Sequence, residues 1–307
     1  MKKNSWLIGL AAVVVLIAAY LIIRNFAHKP TDLSQSTAGT GKLRIAASIN
    51  PIADMAAQIG RQFVQVDIIL PPGASPHTFE PTPQQIRNMQ GVTLVFAIGH
   101  GLDDWIQPIV DNAAVATVLA VDKDIKMREV PLNQRDEDEP DQTVDPHYWL
   151  TPANANIISQ NIADALSQAD PAHKDSYAAN LTSYQKQLDD LDAYIKNKLS
   201  GITSKEMITH HNAWGYFADA YGLQIVGTFE ISPGREPTPQ QIADLQNKVK
   251  EFNVKTIFSE PQLSDASLRP FVQDLSLNVK TLDPVGTNMG YIDMMRYNAD
   301  TISEALR

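Results

Sequence analysis

The sequence predicts an α/β protein of two lobes, each a mainly parallel sheet flanked by helices, joined by one long backbone helix. Three observations carry this expectation. Short β-like runs alternate with amphipathic stretches in both halves of the chain, the pattern of parallel strands with crossover helices. One stretch of unbroken helical periodicity, from Pro171 to Leu199, interrupts the alternation. The segment EPTPQQI occurs twice, at residues 80–86 and 236–242, each time ahead of a helix and then a β-run. Identity at the equivalent point of two similar halves favours duplication over the chance recurrence of a good helix start.

The N-terminus reads as an export signal. Lys2 and Lys3 precede an apolar run from Trp6 to Ile23, closed by Arg24. At ~1.5 Å per residue a helix of that length spans about 27 Å, close to the hydrocarbon core of a bilayer. The basic flank favours a cytoplasmic N-terminus with the rest exported. An uncleaved anchor is the expectation, and a cleavable signal peptide is its rival, although no small-x-small cleavage site stands near Tyr20. The chain has no cysteine. That excludes a lipid-modified cysteine after the run, disulfides, thiolate–zinc sites and a cysteine nucleophile. Residues 1–28 are thus read as anchor or signal segment, and the Ser/Thr/Gly-rich residues 29–41 as a flexible tether. The folded part is placed in the periplasm or at the cell surface.

The first lobe, residues 42–170, holds the runs LRIAASI from Leu43, VQVDIIL from Val64, VTLVFAI from Val92 and ATVLAV from Ala116. Helices opened by Pro51 and Pro83 lie between them, proline being favourable in a first helical turn. In the linker, residues 171–200, apolar side chains recur at Tyr177, Leu181, Tyr184, Leu188, Leu191 and Ile195, spacings of three and four. Gly201 then ends the helix. The second lobe, residues 201–307, holds EMITH from Glu206, LQIVGTF from Leu223, VKTIFS from Val254, VKTLD from Val279, and a closing helix from Tyr291 to Leu306. With 44% hydrophobic and 20% charged residues the composition is globular. A net charge of −10 disfavours nucleic acid as a partner and is compatible with cationic ligands.

Four residues carry a chemical signal. His77 lies in LPPGASPHTFEPTP, His147 in DPHYWLTP, His211 in MITHHNAWGYF and Asp283 in TLDPVG. Each follows a strand end or leads into a helix, and ligands of open α/β sheets collect in that crevice. Three imidazoles and one carboxylate make a tetrahedral set that suits Zn²⁺. Neighbours on a strand point to opposite faces, so only one of His210 and His211 faces the cleft. His100, in AIGHGLDDW, defaults to an exposed loop, with a place beside the site or as an alternate ligand left open. Glu260, in FSEPQ, is better suited to hold the other nitrogen of a ligand histidine. His28 and His173 stand apart.

In order, PPGASPHTFEPTP, DPHYWLTP, HNAWGYFADAYGL, FSEPQLS and LDPVG resemble the zinc- and manganese-binding solute-binding proteins of bacterial ABC importers, across about residues 42–307. The resemblance implies a monomer that carries a transported metal between its lobes and hands it to an ABC permease. It implies His77, His147, His211 and Asp283 as ligands. At the position of His211 manganese-selective relatives tend to carry Glu, so this chain tilts towards Zn²⁺ over Mn²⁺, imidazole being the softer ligand. Two features depart from common family patterns. The acidic run RDEDEPD, Arg135 to Asp141, stands where many zinc members carry a His-rich loop; it reads as a solvated loop or as a weak cation collector. The anchor is the other departure. An enzyme is not expected: a metallohydrolase needs an open coordination position and a base, and no HExxH, GxSxG or Walker A segment occurs. A surface adhesin with a structural metal is the remaining alternative.

Overall fold

The computed structural model describes residues 41–113, 117–130, 143–231 and 233–307. The apolar N-terminal run, His28, the tether up to Thr40 and the acidic run lie outside the described residues. Among the described residues no helix is long and apolar enough to cross a membrane.

Two four-stranded sheets form, both wholly parallel. The first contains β1 (Leu43–Ala47), β2 (Val64–Ile68), β3 (Leu94–Ala97) and β4 (Thr117–Ala120), in the order β2-β1-β3-β4. The second contains β5 (Glu206–His211), β6 (Gln224–Glu230), β7 (Thr256–Ser259) and β8 (Asn278–Thr281), in the order β6-β5-β7-β8. The two orders are the same. The helices are α1 (Asn50–Gly60), α2 (Pro83–Asn88), α3 (Gln107–Ala113), α4 (Pro152–Ala169), α5 (Lys174–Leu199), α6 (Gly215–Tyr221), α7 (Pro239–Glu251), α8 (Leu268–Leu275) and α9 (Tyr291–Ala305). β3 and β7 are buried along their whole length, as strands must be when helices cover both faces of a sheet.

The repeated EPTPQQI folds the same way twice. Thr82 caps α2 and Thr238 caps α7. Each hydroxyl accepts the N–H three residues on at 3.3 Å, from Gln85 and Gln241. The same glutamines reach back to accept the N–H of Thr82 at 2.9 Å and of Thr238 at 2.7 Å. These are reciprocal capping boxes, satisfying two otherwise orphaned donors at each helix start.

Alternate strand residues feed different cores. Ile45 and Phe96 of the first sheet, and Met207 and Phe258 of the second, join one core with α1, α4, α5 and α9. On the far faces, Ala46 and Val95 pack with Ile109, while Ile208 and Ile257 pack with Leu245, Val249, Leu268 and Phe271. Helix α5 follows a 3₁₀ turn at Pro171–His173 and buries Tyr177, Leu181, Tyr184, Leu188, Leu191, Ile195 and Leu199 in the shared core. Its 26 residues reach about 39 Å. The strut is unbroken because every buried position falls on one stripe.

Candidate metal centre

Three of the four predicted ligands meet. Nε2 of His147 lies 3.1 Å from Nε2 of His77 and 3.2 Å from Nε2 of His211. The ligand atoms of the three all lie within 4.8 Å of one another. Ser75, Pro76, Trp149, Glu260, Gln262, Pro284 and Val285 help to line the cavity around them.

Each imidazole is placed by local sequence. After β2, Pro71 and Pro72 lead into Gly73 at φ +80°, a left-handed turn that glycine makes without strain. The indole N–H of Trp105 donates to Pro76 O at 2.9 Å and fixes the loop that presents His77. His147 is held by Asp145, two residues earlier. Oδ1 of Asp145 accepts the backbone N–H of His147 at 3.0 Å and faces its Nδ1 at 2.9 Å, closing an Asx-type turn across Pro146. His211 ends β5 on the same side as Met207, facing the shared core. His210 points the other way, fully buried against Phe229 with Glu230 3.4 Å away. Glu260, just past β7, places Oε2 2.7 Å from Nδ1 of His211, off the ideal hydrogen-bond line, and its Oε1 accepts from the Trp214 indole at 3.3 Å.

These carboxylates set the tautomers. A carboxylate beside Nδ1 favours the proton there, in His147 through a hydrogen bond and in His211 through charge alone, which leaves Nε2 as a lone pair. Two lone pairs then face each other 3.2 Å apart in a buried site, which is repulsive unless a cation lies between them. Tetrahedral Zn–N bonds of about 2.0–2.1 Å bring paired nitrogens to about 3.3–3.4 Å, close to the separations found. Burial pushes the His77 imidazole well below its ordinary pKa, and any charge on His147 or His211 adds to the effect. Burial also lowers His147, with Asp145 acting in the opposite direction. Both therefore favour the neutral, metal-binding form.

Asp283 is not in this cluster. Its Oδ1 accepts from Gln262 Nε2 at 2.8 Å and from the N–H groups of Val285 and Gly286 at 3.2 and 2.9 Å, and its Oδ2 accepts from Thr287 N–H at 2.7 Å. The turn it begins takes up most of the acceptor capacity that the sequence assigns to metal. His100 also stands away from the three histidines: its Nε2 pairs with Asp122 Oδ2 at 2.9 Å, on a residue at φ +55°. Glu260 does contact a cluster histidine. Sequence reasoning missed Asp145, although an aspartate two residues before a candidate ligand histidine, with proline between, is a recognisable Asx-turn signal. It also missed Gln262, which nothing but the neighbouring Glu260 marks.

Two parallel-sheet halves bound by one long helix, with imidazoles from both meeting in a shared cavity, define a two-lobed solute-binding protein with a metal-ligating set at its centre. The chain belongs to the zinc-uptake complex component A periplasmic (ZnuA) family, whose model matches residues 45–305. Members of that family are substrate-binding proteins of ABC transporters and not enzymes. The chain is 28% identical to the high-affinity zinc uptake system protein ZnuA of Bacillus subtilis (strain 168), covering 95% of this chain and 96% of that protein. It is 30% identical to the manganese ABC transporter substrate-binding lipoprotein PsaA of Streptococcus pneumoniae serotype 4, covering 100% of this chain and 99% of that protein. A crystal structure of ZnuA superposes with a TM-score of 0.78 at 28% identity, covering 87% of this chain and 100% of that one. The protein is accordingly a metal-binding solute-binding protein of an ABC importer.

Proposed function

We propose that this protein captures Zn²⁺ outside the cytoplasm as a monomer and delivers it to the permease of an ABC importer, held at the membrane by its apolar N-terminal run. His77, His147 and His211 bind the ion through Nε2. The observation that carries this reading is the pair of Nε2 atoms 3.2 Å apart, with a carboxylate behind each ring. The fourth ligand is Asp283 through Oδ2, which accepts one N–H where Oδ1 accepts three donors. Residues 42–170 and 201–307 act as the two lobes, and the helix between them keeps their relative motion to a modest tilt.

Zinc is favoured over manganese because nitrogen ligands dominate the set, and because raw affinity already runs in that direction. The test is metal content of protein purified without added metal, followed by competitive Zn²⁺ and Mn²⁺ titration of wild type, His77→Ala and His211→Glu. Wild type should hold Zn²⁺ far more tightly than Mn²⁺. His77→Ala should lose at least ~100-fold in zinc affinity, beyond the ~10–100-fold typical of residues behind a ligand. His211→Glu should narrow the zinc-to-manganese ratio. Equal affinities in the wild type, or a ratio unmoved by His211→Glu, would overturn the zinc assignment.

A further inference from the structure

We infer that Arg128 is a positioning residue that locks the second half of the molecule onto the carboxylate behind His147, fixing the distance between His147 and His211. The inference rests on the metal site proposed above.

Arg128 follows β4, in the first half, and its partners converge from both halves. Its Nε donates to Asp219 Oδ2 of α6 at 3.0 Å. Its backbone N–H donates to the Tyr216 hydroxyl oxygen at 2.7 Å, and that hydroxyl donates onward to the carbonyl of Asp145 at 3.0 Å. The N–H of Asp145 donates back to Arg128 O at 2.9 Å. Nη1 of Arg128 lies 3.5 Å from Asp145 Oδ2. Asp145 is almost wholly buried, and this oxygen has no hydrogen-bond donor of its own. A buried carboxylate oxygen without a partner is costly, so the guanidinium beside it is what holds Asp145 in place behind His147.

The second half is held as closely. Gly215, the first residue of α6, lies against the guanidinium, and a Cβ there would come within 2.6 Å of Arg128 Cζ. Four residues earlier the chain is His211. One guanidinium thus anchors both imidazoles, His147 through Asp145 and His211 through the start of α6. Arginine suits the task because its planar fork addresses two carboxylates at separate nitrogens, where a lysine ammonium is a single point charge. Asp219 is mostly exposed, so its share of the effect is minor.

The experiment uses the full chain with Zn²⁺, and Co²⁺ as a spectroscopic probe of ligand geometry. Wild type, Arg128→Met, Arg128→Lys, Gly215→Ala and the Arg128→Met/Gly215→Ala pair are compared for affinity, metal release rate and the visible spectrum of the Co²⁺ form. Failure of the wild type to bind either ion would sink the metal-site reading itself. Given wild-type binding, Arg128→Met should weaken Zn²⁺ by ~10–100-fold, speed its release and shift the Co²⁺ spectrum, with partial rescue by Arg128→Lys. Gly215→Ala, which keeps the arginine but displaces it, should do the same and add little to Arg128→Met. If Arg128→Met fails to fold, Gly215→Ala alone decides between the two outcomes. Wild-type affinity and spectrum in Gly215→Ala, or losses in the two variants that multiply in the pair, would overturn the inference.

Discussion

The two halves share a strand order and a helix-capping device but divide the chemistry unequally. The first half presents His77 after β2 and His147 before α4, whereas the second presents His211 at the end of β5. The corresponding places in the opposite half do other work. Past the end of β1, at the start of α1, Asn50 donates through Nδ2 to Gly286 O at 2.6 Å and to Met289 O at 2.8 Å, tying the first half to the second. After β6, where β2 is followed by His77, the loop instead packs on the His77 loop itself, and a Cβ on Gly234 would lie 3.2 Å from Thr78 Cγ2. A repeated framework therefore does not imply a repeated site. One copy of each loop carries a cluster histidine and the other docks, so that the three histidines are brought together across the pair.

The sharpest way to strain this comparison is to remove the carboxylate behind one histidine in each half. Asp145→Asn and Glu260→Gln should each weaken zinc binding by ~10–100-fold, because each loses the anion that fixes a tautomer. A loss confined to one half, measured by titration, would mean that the two histidines are not equivalent partners.

The next effect concerns the metal-free protein. His77 and His147 have folded pKa values pushed down by burial, so the unfolded chain binds protons that the folded one refuses. Their contribution to stability is complete above the unfolded value near 6.5 and is lost as pH falls towards the lowered folded values. The thermal midpoint of the metal-free protein should therefore drop between about pH 7 and about pH 5, and drop less in His77→Asn. A midpoint independent of pH over that window would contradict the assignment of burial as the cause.

The smallest effect tests the repeat. Thr82→Ala and Thr238→Ala each remove one side of a capping box, and each should cost about 1 kcal/mol in urea unfolding. Unequal costs would show that only one of the two EPTPQQI segments retains its helix-starting role.

Strands, the long helix and the three histidines were legible because their signals are local. Alternation marks the strands, a three-and-four stripe from Tyr177 to Ile195 marks α5, and prolines frame the loops of His77 and His147. The hydrogen bonding of Asp283 was not legible. Nothing in LDPVG tells how many of its own turn's N–H groups the carboxylate will accept, and Gln262 arrives from another strand end. Arg128 was invisible for the same reason: Tyr216 and Asp219 are far away in sequence, and only the closed fold brings them together.

The central claim is that one ion is shared by imidazoles from both halves. X-ray absorption at the zinc edge of the loaded protein addresses it directly. Three imidazoles and one oxygen at about 2.0–2.1 Å are predicted, falling to two imidazoles in His77→Ala and equally in His211→Ala. An oxygen-dominated shell, or an imidazole count that either substitution leaves unchanged, would contradict a centre built across the two halves.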